Sequence, residues 1–270
     1  MIGFIGAGAM GGAIIRGAIA SGNFSADDVV VSGSSPEAAA ASAQALGVSA
    51  AGSNADLVAK VGAGIVVLAV KPQVLPHVLP GIREEAGKHG TVIVSIAAGT
   101  TLETLASFME HAQPIVRIMP NVAASIRKSM TALCPNEFVG PEQEAEVARL
   151  FESVGQVATV AEKDFSIFSA IAGCSPAYTF TYIDAMARAG VKNGLRKDAA
   201  VRMAAQAVLG AAQMVLDDLS TTPMTLADSV QSPGGTTVAG IVALEEAGFG
   251  AAIVKGVQAS VDKDIALQGK

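Results

Sequence analysis

Up to about residue 160, short apolar runs alternate with stretches of helical spacing. The runs that predict strands are residues 1–6 (MIGFIG), 29–32 (VVVS), 64–70 (GIVVLAV), 91–97 (TVIVSIA), 114–119 (PIVRIM), 130–135 (MTALCP) and 156–161 (QVATVA). Several are unbroken Val/Ile segments, as expected of strands covered on both faces of a parallel sheet. Helical spacing fills 10–21, 36–46, 101–111 and 141–153 between them. Strand and helix in alternation predict a doubly wound α/β sheet of Rossmann type.

From Asp164 onward the strand signal stops and helices follow one another. Pro176 is placed to open one that Gly190 closes, and Asp198 is the expected N-cap of the next, 199–219. That helix is roughly thirty ångströms long. Ahead of Asp217 and Asp218 at its end, only Arg202, Gln206 and Gln213 interrupt its apolar surface, so it is expected to be buried on every side, with a partner subunit supplying the cover. Thr222 and Pro223 start another helix, and a last one runs from Phe249. The organisation expected is an α/β Rossmann-like domain over residues 1–161 and an all-helical domain over 162–270.

Composition narrows the partners. The 270 residues carry a net charge of −6, with lysines and arginines scattered singly, which argues against nucleic acid and against an anionic membrane. The strongest apolar run, 61–70, is far short of a bilayer span, and the N-terminus has no basic region ahead of its apolar residues. A cytoplasmic protein is therefore expected, with Cys134 and Cys174 as buried free thiols and no metal-ligand spacing.

Gly6, Gly8 and Gly11 form G-x-G-x-x-G, with Ala7, Ala9 and Met10 between them, at the junction of the first strand and first helix. One glycine makes the turn, one admits a pyrophosphate to the backbone, and one lets helix and strand pack closely; the helix N-terminus then faces the phosphates. Ligands in such sheets lie outside the carboxyl ends of the strands. Ser32, Gly33, Ser34 and Ser35 occupy the end of the second strand, where an NAD-binding protein usually has an acid for the ribose 2′-hydroxyl. The strand-end acid that would repel a 2′-phosphate is absent and hydroxyls are available, although no Arg or Lys joins them. The expectation is NADPH, with NADH also usable. Ala69, Val70, Lys71 and Pro72, and Ala97 and Ala98, stand at two further strand ends where small residues let a flat ring approach.

A second loop, Ser232-Pro233-Gly234-Gly235-Thr236-Thr237, precedes an apolar helical stretch in which Val238, Ile241, Val242 and Leu244 suit one buried face. Successive amides at a helix head can form an anion nest, although simple N-capping by a threonine explains the same residues. His77, His89 and His111 all lie in the nucleotide half, so no acid–base histidine is placed for a hydroxyl–carbonyl reaction. A protonated imine accepts hydride without one; its site needs positioning, a carboxylate receptor and a partner for the nitrogen.

With GFIGAGAMGGAI (3–14), LAVKP (68–72), VSIAAGTTLETL (94–105), VRIMPN (116–121), AGVKNGL (189–195) and SPGGTTVAGI (232–241), the chain resembles the pyrroline-5-carboxylate reductases over essentially its whole length. The resemblance implies NAD(P)H-dependent reduction of L-1-pyrroline-5-carboxylate to L-proline. It also implies a homodimer formed through the C-terminal helical domain, or a decamer of such dimers. By similarity, Ser232, Gly234, Gly235, Thr236 and Thr237 would meet the substrate, with Thr237 the candidate proton donor at the ring nitrogen. Asn54 would touch the cofactor, and Met119, Pro120 and Asn121 would line the nicotinamide side. The family's usual G-S-G-P-A-Y reads Gly173-Cys174-Ser175-Pro176-Ala177-Tyr178 here, which adds a Cβ at a helix entrance. Two other readings carry their own signals: a β-hydroxyacid-type dehydrogenase using Lys192, and a non-catalytic NADPH-binding sensor.

Overall fold

The computed structural model describes residues 1–268. Its first part runs β1 (Ile2–Ile5), α1 (Ala9–Ala20), β2 (Val29–Ser32), α2 (Pro36–Leu46), β3 (Ser49–Ala50), α3 (Asn54–Val61), β4 (Ile65–Leu68), α4 (Leu75–His89), β5 (Val92–Ser95), α5 (Leu102–Ala106), β6 (Ile115–Met119), β7 (Ser129–Pro135), α6 (Pro141–Glu152) and β8 (Gly155–Thr159). The strands form one sheet in the order β3-β2-β1-β4-β5-β6-β7-β8. The chain leaves β1 toward β2 on one side and later returns to β4 on the other, so the topological switch lies between β1 and β4.

Each continuous apolar run is explained by burial on both faces. Ile2 and Phe4 of β1 and Ile65 and Val67 of β4 join Ile14, Ile15 and Phe151 on one side. Ile5, Val66 and Leu68 join Leu57, Leu79 and Ile82 on the other. One strand departs from the expected parallel pattern: β7 is antiparallel to β6. The link 120–128 holds a single 3₁₀ turn, Val122–Ile126, too short for the crossover that a parallel return needs. The two-residue β3, α3 and α4 add to the elements expected, and α5 is a shorter helix than the 101–111 spacing predicts.

The helical part comprises α7 (Phe165–Phe168), a π-helical turn Ser169–Cys174, α8 (Ser175–Lys192), α9 (Lys197–Asp217), α10 (Pro223–Ser229), α11 (Thr236–Glu246) and α12 (Phe249–Gln268). By packing, the chain divides into two compact units: Met1–Cys174 together with the stretch from Ser260 onward, and Ser175–Ala259. Phe165 groups with the sheet because it packs among Ala132 and Cys134. Asp264, near the end of α12, does so by accepting from Ser166 Oγ at 2.8 Å. In the second unit α8 and α9 approach closely at Gly190, where an added Cβ would stand 3.0 Å from that of Ala200.

Several local expectations change. Arg196, not Asp198, is the N-cap of α9; Asp198 sits inside the first turn and binds the Arg196 guanidinium. Gly190 does not close α8, which continues to Lys192. In α9 only Ala200 and Ala204 are buried. Val242 and Leu244 are exposed, and Val238 and Ile241 are half-buried. The unit Ser175–Ala259 has too few elements to cover these side chains from within. Among the described residues, α9 is also long and apolar enough to cross a membrane by length and composition, a property shared by helices that another protein surface covers. Cys134 is buried and Cys174 half-buried, so the second thiol departs from the expectation. Burial pushes the Cys134 thiol above its ordinary value, with the Glu162 carboxylate adding to the effect.

Candidate functional site

The carboxyl ends of β1, β2, β4, β5 and β6 lie along one edge of the sheet, because these strands are parallel and in near register (Ile5 opposite Ser32 and Leu68, Leu68 opposite Ser95, Ser95 opposite Arg117). The loops that leave them carry the nucleotide candidates. Gly6 turns at φ +92°, and its N–H donates to Ser32 O at 3.0 Å. Gly8 is the N-cap of α1, with nothing within 4 Å of where a Cβ would stand. At Gly11 a Cβ would lie 2.7 Å from Gly6 O and 3.0 Å from Ala69 Cβ, so only glycine lets α1 pack at this height. Ala7, Ala9 and Met10 complete the loop and first turn. No side chain caps α1 and no acid stands in its first turn, which leaves backbone N–H groups facing the open side at Gly8. A pyrophosphate fits this cradle.

Along the same edge, Ser32 donates its hydroxyl to Asn54 Oδ1 at 2.7 Å, tying the end of β2 to the start of α3. Ser35 is the N-cap of α2, where its Oγ accepts from Ala38 N, and Ser34 is exposed. Ala69 donates its N–H to Ile5 O, and Ala69 and Val70 are half-buried; Lys71 and Pro72 are exposed. Ala97 is buried and Ala98 exposed after β5. Met119, Pro120 and Asn121 follow β6. The Asn121 side chain is already engaged: Nδ2 donates to Ala172 O at 2.9 Å and Oδ1 accepts from Ala123 N at 3.0 Å. It thereby ties this loop to the π-helical turn that ends at Cys174, a turn whose register leaves carbonyls to satisfy. Asn121 is a positioning residue here rather than a side chain open to a ligand.

A support that sequence reading missed lies beneath these loops. Arg117 of β6 is only 3% exposed; its guanidinium stacks on Phe165 at 4.3 Å and donates to Glu162 Oε1 at 2.9 Å. The same oxygen accepts from Leu102 N at 2.6 Å, the first amide of α5. Glu162 thus fixes the helix that follows the loop at Ala97 and Ala98. The one signal available was an arginine inside an otherwise apolar strand.

In the second unit, Gly234 turns at φ +69° and Gly235 is the N-cap of α11. Gly235 N donates to Ser232 O at 2.9 Å, and an added Cβ at Gly235 would come within 2.4 Å of Ser232 Oγ, so a larger residue there requires that hydroxyl to move. Thr236 and Thr237 are the first two helical residues and both are exposed; neither caps the helix, and no acid lies in its first turn. The N-capping expected of a threonine therefore does not occur. By contrast α6, which also starts at a glycine, has its Gly140 N–H bound by Gln143 Oε1 and carries Glu142 and Glu144 in its first turn. The α11 head keeps its amides and hydroxyls available for an anion. Lys192 is exposed at the last position of α8. His77 is exposed on α4, His89 pairs with Glu85, and His111 stands against the Phe138 ring, so none belongs to either glycine loop.

Comparison with known proteins fits both loops. Residues 162–267 match the family model described as pyrroline-5-carboxylate reductase dimerisation. Residues 1–99 match one described as NADP oxidoreductase coenzyme F420-dependent. The pyrroline-5-carboxylate reductase of Escherichia coli is 42% identical over 262 residues, covering 97% of this chain and 96% of that protein. Among solved structures, the 1-pyrroline-5-carboxylate reductase of Streptococcus pyogenes has a TM-score of 0.86 at 39% identity, covering 97% of each chain. The pyrroline carboxylate reductase of Plasmodium falciparum, determined with NADP bound, has a TM-score of 0.86 at 29% identity over 99% of this chain and 97% of that one. Similarity of this extent, reaching from the first glycine loop through the last helix, means that the chain belongs to the pyrroline-5-carboxylate reductase family.

Proposed function

We propose that this chain reduces L-1-pyrroline-5-carboxylate to L-proline, the last step of proline biosynthesis, with NADPH as hydride donor and NADH also accepted. The observation that carries the reading is the pair of bare, acid-free helix heads behind glycine turns, α1 in one unit and α11 in the other. One suits a pyrophosphate and the other a carboxylate.

When bound, the nicotinamide supplies the hydride for the C=N carbon. The chain's residues hold and orient. The α1 amides from Ala9 onward, with Gly6, Gly8 and Gly11, hold the pyrophosphate; Ser32, Ser34, Ser35 and Asn54 stand toward the adenosine ribose. The small Ala69, Ala97 and Ala98 leave room for a flat ring, with Val70, Lys71, Pro72, Met119 and Pro120 around it. The amides of Thr236 and Thr237 receive the substrate carboxylate, while Ser232, Gly234 and Gly235 shape the loop, the Gly235 amide being held by Ser232 O. The Thr237 hydroxyl is the partner of the ring nitrogen: its oxygen accepts from the iminium N–H, and once hydride has added its O–H faces the new nitrogen lone pair. A protonated imine already carries the charge that draws hydride, so orientation and electrostatics suffice without a histidine.

The same proposal takes residues 1–161 as the cofactor domain and 162–270 as the substrate and dimerisation domain of a cytoplasmic homodimer. The outward apolar side chains of α9, among them Met203, Leu209 and Leu216, support pairing. The test is an assay of the purified protein with NADPH and the pyrroline, read as loss of nicotinamide absorbance with proline formed in equal amount. No turnover by folded, dimeric protein would reject the reading. The dehydrogenase alternative requires Lys192 to act as acid–base, and the sensor alternative requires tight NADPH binding without consumption.

A further inference from the structure

The adenosine end of the nucleotide edge has an unusual charge pattern. Between Arg16 and Lys60 the chain contains no lysine, arginine or histidine, yet it contains Asp27, Asp28, Glu37 and Asp56. Two of these acids stand in the first turns of the helices that frame the end of β2: Glu37 in α2 and Asp56 in α3. Both helix heads are already capped, by Ser35 accepting from Ala38 N and by Ser53 accepting from Asp56 N. The hydroxyls that looked available are largely engaged. Ser32, 2% exposed, donates to Asn54 Oδ1, and the Ser35 hydroxyl accepts from Ala38 N and holds the Glu37 carboxyl below its ordinary pKa. Only Ser34 of the three loop serines is without such an engagement.

A 2′-phosphate placed beside this loop would carry nearly two negative charges and meet one uncommitted hydroxyl, no cation and an exposed carboxylate. A 2′-hydroxyl would meet the same groups without the charge conflict, and a carboxylate is a suitable acceptor for it. We propose that Glu37 is the specificity-determining residue of the coenzyme site: it offsets the affinity for a 2′-phosphate, so that this chain binds the phosphorylated and unphosphorylated coenzymes with closely similar strength. The inference rests on the dinucleotide reading of this edge and concerns only which dinucleotide is favoured. It modifies the expectation drawn from the strand end alone, because the acid that matters lies one helical turn further along.

Binding of coenzyme fragments tests this apart from catalysis. Calorimetric titration of the intact protein with adenosine 2′,5′-bisphosphate and with adenosine 5′-monophosphate is expected to give dissociation constants within about tenfold of each other. Glu37→Gln is expected to tighten the bisphosphate by about three- to tenfold relative to the monophosphate, an effect that shrinks as salt is raised from low ionic strength. Ser34→Arg, which supplies the missing cation, is expected to favour the bisphosphate further. A native protein that prefers the bisphosphate by more than tenfold would overturn the inference while leaving the dinucleotide reading intact. So would a Glu37→Gln variant in which both ligands shift equally. Failure of both fragments to bind would overturn the two together.

Discussion

In the sheet unit, Phe4, Val67, Leu68 and Phe151 are all completely enclosed. In the helical unit, Met203, Leu209 and Leu216 are equally apolar and stand 59%, 61% and 67% exposed. Both sets are large apolar side chains in regular elements, so the sequence pattern states that a side chain is to be covered without stating by what. A doubly wound sheet supplies its own cover, because helices fall on both faces. A short array of helices has no second layer, and its apolar surface belongs to an interface.

The largest effect expected is in the sheet unit. Phe151→Ala removes a fully buried ring and is expected to cost about 3–5 kcal/mol in denaturant unfolding, a large share of a typical domain's roughly 5–15 kcal/mol. Paired charges on the outward face, Leu209→Asp with Leu216→Asp, are expected instead to leave the fold standing and to separate subunits. Sedimentation would then fall from twice the 27.0 kDa chain mass to the chain mass itself. If that variant unfolds without passing through a folded monomer, the outward face of α9 holds the unit itself together and the contrast between the units fails.

Much of the sheet unit was legible because its signals are local. Unbroken Val/Ile runs mark strands covered on both sides, and Gly6, Gly8 and Gly11 mark the turn into α1. The reversal of β7 was not legible, since nothing in 120–128 announces that the link lacks a crossover helix. Nor was the engagement of Asn121, whose partner Ala172 lies fifty-one positions away and offers only a backbone carbonyl. Glu162 escaped notice for the same reason: its two donors, Arg117 and Leu102 N, are distant in sequence. In the helical unit the loop before α11 was legible from its glycines, and the apolar pattern of α9 signalled cover by a partner subunit; which of its side chains face that partner was not legible, because the cover is not on the same unit.

Smaller effects sharpen the comparison at the level of chemistry. Thr237→Ala is expected to lower kcat by about a hundredfold, the scale of a lost hydrogen-bond partner at the reacting centre, with little change in the KM for NADPH. Lys192→Met is expected to change kcat by no more than about twofold, against the roughly hundredfold or greater loss that an acid–base role would carry. The smallest expected signal is in the thiols. Burial raises the Cys134 pKa, so its reactive thiolate is scarce near neutral pH and grows only as pH rises; alkylation followed by mass spectrometry should find Cys174 modified first.

Catalysis by this fold requires that the bare amides at the head of α11 receive the substrate's carboxylate. A crystal structure with NADP⁺ and L-proline tests this directly. The carboxylate oxygens are expected within about 3.2 Å of the backbone nitrogens of Thr236 and Thr237. Ordered proline elsewhere in the molecule, with those nitrogens facing only solvent, would contradict it.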